Sequence, residues 1–241
     1  MIYQNEFKLA KKIIIEVGTY LSSQTIKKID SQIGKDIKLE LDKKTEDLII
    51  NNLTKYFTYP ILSEEIGLTK KIENDKPYWI IDPIDGSLNF SRGNPTCCIS
   101  IALWINKNPI FGIIYDFNRK ELFSGYVNIG AWLNNIPLKQ KEKKEKSQSI
   151  LATGLSTYMS YDEKTLKNFI LQIQEYKKIR MIGSAALSLA YVACERFDSY
   201  MENNIKLWDV AAGIAINASI NNTYEIEYLD NYNTNTKVGI L

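Results

Sequence analysis

The sequence predicts an α/β fold in two parts: an antiparallel sheet with helices first, then a mixed or parallel sheet with helices. Three observations carry this expectation. Apolar residues recur at three- and four-residue steps near the N-terminus, apolar runs separated by short polar breaks fill residues 97–127, and strand-like and helix-like segments alternate after residue 150. Between the parts lies KQKEKKEKSQS, residues 139–149, the one low-complexity stretch, whose mixed charges suit a solvated connection. The expected lobes are therefore residues 1–146 and 147–241.

Taking the elements in order, Phe7, Ala10, Ile13, Ile14, Val17 and Tyr20 mark an amphipathic helix from Glu6 to about Leu21, and Gly34 ends the region that follows. Leu48, Ile49, Leu53 and Phe57 mark a second helix, Thr45 to Phe57, with Pro60 as its stop. Ile61-Leu62 and Tyr78 to Ile81 read as short buried strands, each ending in carboxylates. The runs CCISIALWI, IFGIIYDF and ELFSGYV read as antiparallel hairpins, with another at Asn134-Asn135 because Asn tolerates positive φ. Beyond the connection come a strand near Ile150 to Thr153, a helix near Asp162 to Tyr176, a strand at Lys178 to Ile182 and a helix from Ser184 to about Arg196. A strand at Ser199 to Glu202 and a helix from Asp209 to Ser219 complete the pattern.

Composition narrows the function. The chain has 241 residues, 45% apolar and 24% charged, which is globular. Thirty Lys and Arg against 28 Asp and Glu leave a net charge of +2, which gives no reason to expect a nucleic acid polymer or a membrane as partner. No His is present, which excludes Ser-His-Asp and Cys-His triads, His-ligated zinc and imidazole catalysis. Three cysteines without a CxxC pair point to a reducing compartment, and no apolar run approaches the ~18 residues of a membrane span, so a cytoplasmic protein is expected.

Catalysis must then use carboxylates, hydroxyls, lysines or a hard cation. Asp82-Pro83-Ile84-Asp85-Gly86-Ser87 follows the strand YWII, where Pro83 and Gly86 allow both carboxylates to turn towards one point. Such a pair serves either as turn capping or as a cation site. Glu64-Glu65 reads as an exposed turn or as further ligands, and Asp209 as a helix N-cap, a ligand, or both. An all-oxygen cluster suits Mg²⁺, and phosphate chemistry is its natural use. The Gly86-Ser87 turn could present amides to an anion; the Gly183-Ser184-Ala185-Ala186 turn offers a second set or a plain helix start.

The string WIIDPIDGSLNF, with SEE upstream and GAWLNNIPL, GSAAL and LWDVAAG downstream, resembles the inositol monophosphatase family of Mg²⁺-dependent, lithium-sensitive phosphatases over nearly the whole chain. The resemblance implies an αβαβα sandwich, a homodimer and a small phosphorylated metabolite as substrate. It implies Glu64, Asp82, Asp85, Asp209 and the Ile84 carbonyl as metal ligands, and catalytic roles for Glu65, Ser87 and Asp42. Gly86 and Ser87 would hold phosphate, with Gly183, Ser184, Ala185 and Glu202 meeting the organic part. Ser87 stands where the family usually has Thr. The segment KDIKLELD, Lys35 to Asp42, is shorter than the family's mobile loop, so two or three Mg²⁺ ions are expected, with Li⁺ inhibitory. NASINNTYEIEY lacks the family's acid-Ala-Gly-Gly ending, which implies a reduced far wall of the pocket. The implied reaction is phosphomonoester hydrolysis by metal-activated water on a sugar or inositol phosphate. Adenosine 3′,5′-bisphosphate as substrate and a noncatalytic phosphate-binding regulator are the alternatives.

Overall fold

The structure, a computed structural model, describes residues 2–24, 29–33, 36–140, 142 and 144–240. Gly34 and Lys35 lie outside the described residues. The large sheet has eight strands in the order β10-β9-β8-β7-β6-β5-β3-β4, and all neighbouring pairs are antiparallel except β3 with β5. Its strands are β3 (Ile61–Ser63), β4 (Gly67–Leu68), β5 (Tyr78–Asp85), β6 (Cys98–Ile105), β7 (Asn108–Asp116), β8 (Glu121–Tyr126), β9 (Gly130–Leu133) and β10 (Ile136–Leu138). A separate hairpin, β1 (Ile29–Ile33) with β2 (Asp36–Leu39), precedes them.

Both faces of the large sheet are covered, which is why its strands read as nearly continuous apolar runs. Along β5, Trp79 and Ile81 pack with Ile13, Ile14 and Ile49 of α1 (Gln4–Ser22) and α2 (Glu40–Thr54). Tyr78 and Ile80 face the other way, into the core formed with α5 (Ala185–Ala193) and α6 (Leu207–Ala218). The far side of α5 and α6 meets Ala152, Tyr200 and Val238 of a second, five-stranded sheet of order β12-β11-β13-β15-β14. Its strands are β11 (Ile150–Thr153), β12 (Lys178–Arg180), β13 (Ser199–Lys206), β14 (Tyr224–Tyr228) and β15 (Asn233–Gly239). Phe169 of α4 (Glu163–Ile173) packs on Leu151 and Met201 outside it. The layers run helix, sheet, helix, sheet, helix, as expected.

Several boundaries differ from expectation. Helix α2 begins at Glu40 rather than Thr45, which draws Asp42 into its first, acidic turn. Strand β13 runs on past Glu202 to Lys206 through a register shift between Glu202 and Ile205. Strands β14 and β15, unforeseen in the sequence, pair antiparallel at one edge of the second sheet. Asn134 and Asn135 both have positive φ, 47° and 68°, and make the foreseen β9–β10 hairpin. No helix among the described residues is long and apolar enough to cross a membrane.

Candidate active site

The large sheet delivers its acids at the end of β5. Its pairing with β6 slips between Asp82 and Asp85, a bulge that re-aims the strand end while both side chains stay buried, 1% and 7% exposed. The Ile84 N–H donates to Asp82 Oδ1 at 3.1 Å, closing the turn on itself. Gly86, at φ +88°, then opens the short helix α3 (Ser87–Ser91). Ser87 Oγ lies 3.0 Å from Asp42 Oδ1 and 2.9 Å from the Ile84 carbonyl oxygen, so one hydroxyl links the strand end to the first turn of α2.

Asp85 is held from the second half of the chain. Its Oδ2 accepts from Ser184 Oγ at 2.5 Å and from the Ala186 N–H at 2.7 Å, with Cys98 Sγ at 3.7 Å. Ser184 also accepts the Leu187 N–H at 3.3 Å as the cap of α5. A carboxylate there completes the capping and complements the helix dipole. The Ser184 hydroxyl is thereby occupied by Asp85 and the Leu187 N–H.

Asp209 is not an N-cap. Helix α6 starts two residues earlier than expected, Lys206 is its cap, and Asp209 is the third helical residue, where its carboxylate accepts the Lys206 N–H. That is the return half of a capping box. Glu64 and Glu65 are half-buried rather than exposed, in the turn joining β3 to β4. Glu46 of α2 shapes this turn by accepting the Glu65 and Ile66 N–H groups at 3.1 and 3.2 Å. Glu46 went unnoticed in the sequence, although it lies three and seven residues before the buried Ile49 and Leu53, on their face of the helix.

These acids feel one another. Burial pushes the Asp82 carboxyl well above the usual carboxylate range, and Glu64, Asp85, Asp209 and Asp42 add to it. Asp209 is likewise driven up by burial, then by Asp85 and Glu202, while a hydrogen bond with the Asp82 side chain opposes the shift. Burial raises Asp85 too, against the donors Ser184 and Ala186. Glu202, 8% exposed, is pushed to about 7 by burial, although Tyr200 donates its hydroxyl to Oε2 at 2.9 Å. Tyr200 lies two residues before Glu202 on the same strand face, a spacing that could have identified it.

A cavity of about 440 Å³, the size of a small-molecule site, opens beside this cluster. Glu64, Asp85 and Asp209 line one side, with Gly183, Glu202 and Lys206 among the other lining residues. Among the described residues no three acidic or thiol side chains are drawn together as a ready-made coordination shell. The donor set nevertheless fits a hard divalent cation. It is all oxygen, Asp82 and Asp209 are close enough to share a hydrogen bond, and no basic side chain ranks among the main influences on either.

The five-layered α/β sandwich and the carboxylate cluster at a strand end accord with the phosphatases that the chain resembles in sequence. A profile of the inositol monophosphatase family matches residues 2–219, and the chain belongs to that family. It is 40% identical over 183 residues to the Nus factor SuhB of Xylella fastidiosa, covering 75% of this chain and 66% of that protein. It is 38% identical over 189 residues to inositol monophosphatase 1 of Solanum lycopersicum, covering 75% and 68%. The solved inositol monophosphatase of Anabaena superposes with a TM-score of 0.82 at 28% identity, covering all of this chain and 92% of that one. The family is one of phosphatases, generally Mg²⁺-dependent.

Proposed function

We propose that the chain hydrolyses a small sugar or inositol phosphate, of the inositol-1-phosphate or fructose-1,6-bisphosphate type, with Mg²⁺ bound and water as nucleophile. The observation that carries this reading is the cluster of mutually repelling buried acids beside a cavity of metabolite size. Glu64, Asp82, Asp85, Asp209 and the Ile84 carbonyl would hold the ions. Bound Mg²⁺ supplies Lewis-acid polarisation and a water of lowered pKa. Ser87, anchored beside Asp42 and Ile84, orients the attacking water together with Glu65. The amides of Gly86 and Ser87 take the phosphoryl oxygens, so the rate enhancement comes from position and fixed dipoles rather than from a side-chain nucleophile. Glu202 and the 183–185 turn receive the organic part.

Likeness to a protein named Nus factor SuhB favours, as a second reading, a regulator that binds phosphate without turning it over. One experiment separates the two. Phosphate release is measured with Mg²⁺ across inositol phosphates, sugar phosphates and nucleotides, adenosine 3′,5′-bisphosphate included, and again with excess EDTA or millimolar Li⁺. Turnover highest on a sugar or inositol ester, abolished by EDTA and reduced by Li⁺, is expected. No release from any ester overturns the enzymatic reading, and full activity in EDTA overturns the metal-dependent one.

A further inference from the structure

The site has two turns from opposite halves of the chain, and one side chain ties them together. Asn89 of α3 directs its amide NH₂ at three main-chain carbonyls: Thr96 O and Ile182 O at 2.8 Å and Gly183 O at 3.1 Å. Its own Oδ1 accepts from Asn94 Nδ2 at 3.2 Å, which fixes the orientation of the amide. Thr96 stands just before β6 and the other two carbonyls just before α5, so this contact bridges 93 residues of chain. Gly86 abuts the same wall, since a Cβ there would meet Thr96 O at 2.9 Å and Gly183 O at 3.0 Å. Three converging carbonyl dipoles repel one another unless a donor stands between them, and Asn89 is that donor.

The consequence lies on the opposite edge of the turn. In a trans peptide the N–H points away from the C=O. With the Ile182 and Gly183 carbonyls drawn to Asn89, the N–H groups of Gly183 and Ser184 face away from it. Among the described residues no hydrogen bond uses either N–H, and both residues line the cavity. Gly183 holds this conformation at φ +72°.

We infer that Asn89 is a positioning residue: by gathering the carbonyls of the 182–183 turn it presents the Gly183 and Ser184 amides to the oxygens of a polyhydroxylated substrate. It thereby couples recognition of the organic part to the phosphate-holding turn of its own helix. This rests on the phosphatase reading. Asn89→Asp keeps the shape but sets a carboxylate against three carbonyls, which displaces the turn. Parent and variant are compared with Mg²⁺ on myo-inositol 1-phosphate and on phenyl phosphate, whose organic part has no hydroxyl. The expected result is a loss in kcat/KM at least tenfold greater for the inositol ester, lying mainly in KM. If Asn89→Asp shows no cooperative melt, Asn89→Ala, which removes the donor without adding charge, carries the same comparison. Equal losses on the two esters, a loss confined to kcat, or no loss overturns the positioning role while leaving the phosphatase reading intact. A parent inactive on both esters overturns that reading and the inference with it.

Discussion

Glu202 offers a test in which the fold itself reports on the site. Its carboxyl is buried on β13, accepts one hydrogen bond from Tyr200, and feels the Asp85 charge, so its pKa in the folded chain is about 7 against an ordinary value of 4.5. A carboxyl raised in this way holds its proton more tightly when folded than when unfolded. Stability therefore falls as pH rises from about 4.5 to about 7, and the full penalty is present above that interval. The interval corresponds to about 3 kcal/mol at most. Glu202→Gln keeps an acceptor for Tyr200 and removes the titration. In metal-free protein at pH 8 the variant should melt about 6–12 °C above the parent, given about 2–4 °C per kcal/mol for a chain of this length. Near pH 5, where Glu202 is mostly protonated when folded, much of that advantage should vanish. Scanning calorimetry in EDTA at both pH values reads the difference. An advantage of the same size at both, or a variant that melts below the parent at pH 8, refutes the argument that burial of this charge is what the fold resists.

Ser184→Ala removes a short bond to Asp85 and the cap of α5; the loss of about 2 kcal/mol should lower the melting temperature by several degrees and raise the Mg²⁺ concentration for half-maximal activity, with Ser184→Thr restoring both. Unchanged Mg²⁺ dependence in Ser184→Ala would show that Asp85 needs no such clasp. Asp209→Asn keeps an acceptor for the Lys206 N–H, so circular dichroism should show an intact fold while turnover falls by about a hundredfold or more. Normal turnover would remove Asp209 from the metal set. Ser87→Ala should lower kcat by about tenfold with little change in Mg²⁺ affinity, and Ser87→Thr should equal or exceed the parent because a β-branched side chain loses less rotamer freedom. Equal rates for Ser and Ala would leave the hydroxyl without a role.

What the sequence revealed and what it hid follow one division. Apolar runs exposed β5 and β6, because both faces of these strands are buried: β5 is apolar until its acids begin, and Ser100 is the one polar residue of β6. The Asn134-Asn135 turn was equally plain, since its two positive φ values need such residues. The start of α2 was read five residues late because Glu40, Asp42, Lys43 and Lys44 dilute the apolar repeat there. Strands β14 and β15 escaped because their apolar signal is thin: exposed Glu225 and Glu227 alternate with half-buried residues on β14, and two of the three buried residues of β15 are Thr234 and Thr236. The acids were legible as a motif, but their supports were not. Ser184 and Asp85 are 99 residues apart, Asn89 and Ile182 93, and no local pattern links such partners.

The supports explain how so costly a site can stay folded. Asp42 arrives on α2, Glu64 in the turn after β3, Asp82 and Asp85 on β5, and Asp209 on α6, so four separately anchored elements bring Asp82 within electrostatic reach of four other acids. Each anchor is apolar and fully buried: Ile49 and Leu53 on α2, Ile61 and Leu62 on β3, Ile80 and Ile81 on β5, Ile214 and Ile216 on α6. Repulsion among the carboxylates can therefore shift side chains and protons but cannot spread the backbones apart without exposing those residues, at about 1.5–3 kcal/mol each. A cation that binds only the folded chain relieves that repulsion, and at a hundredfold excess over its Kd adds about 2.7 kcal/mol to stability. Under the proposed reading, the charge repulsion that costs the fold stability is the same interaction that makes the cluster selective for a small, doubly charged ion.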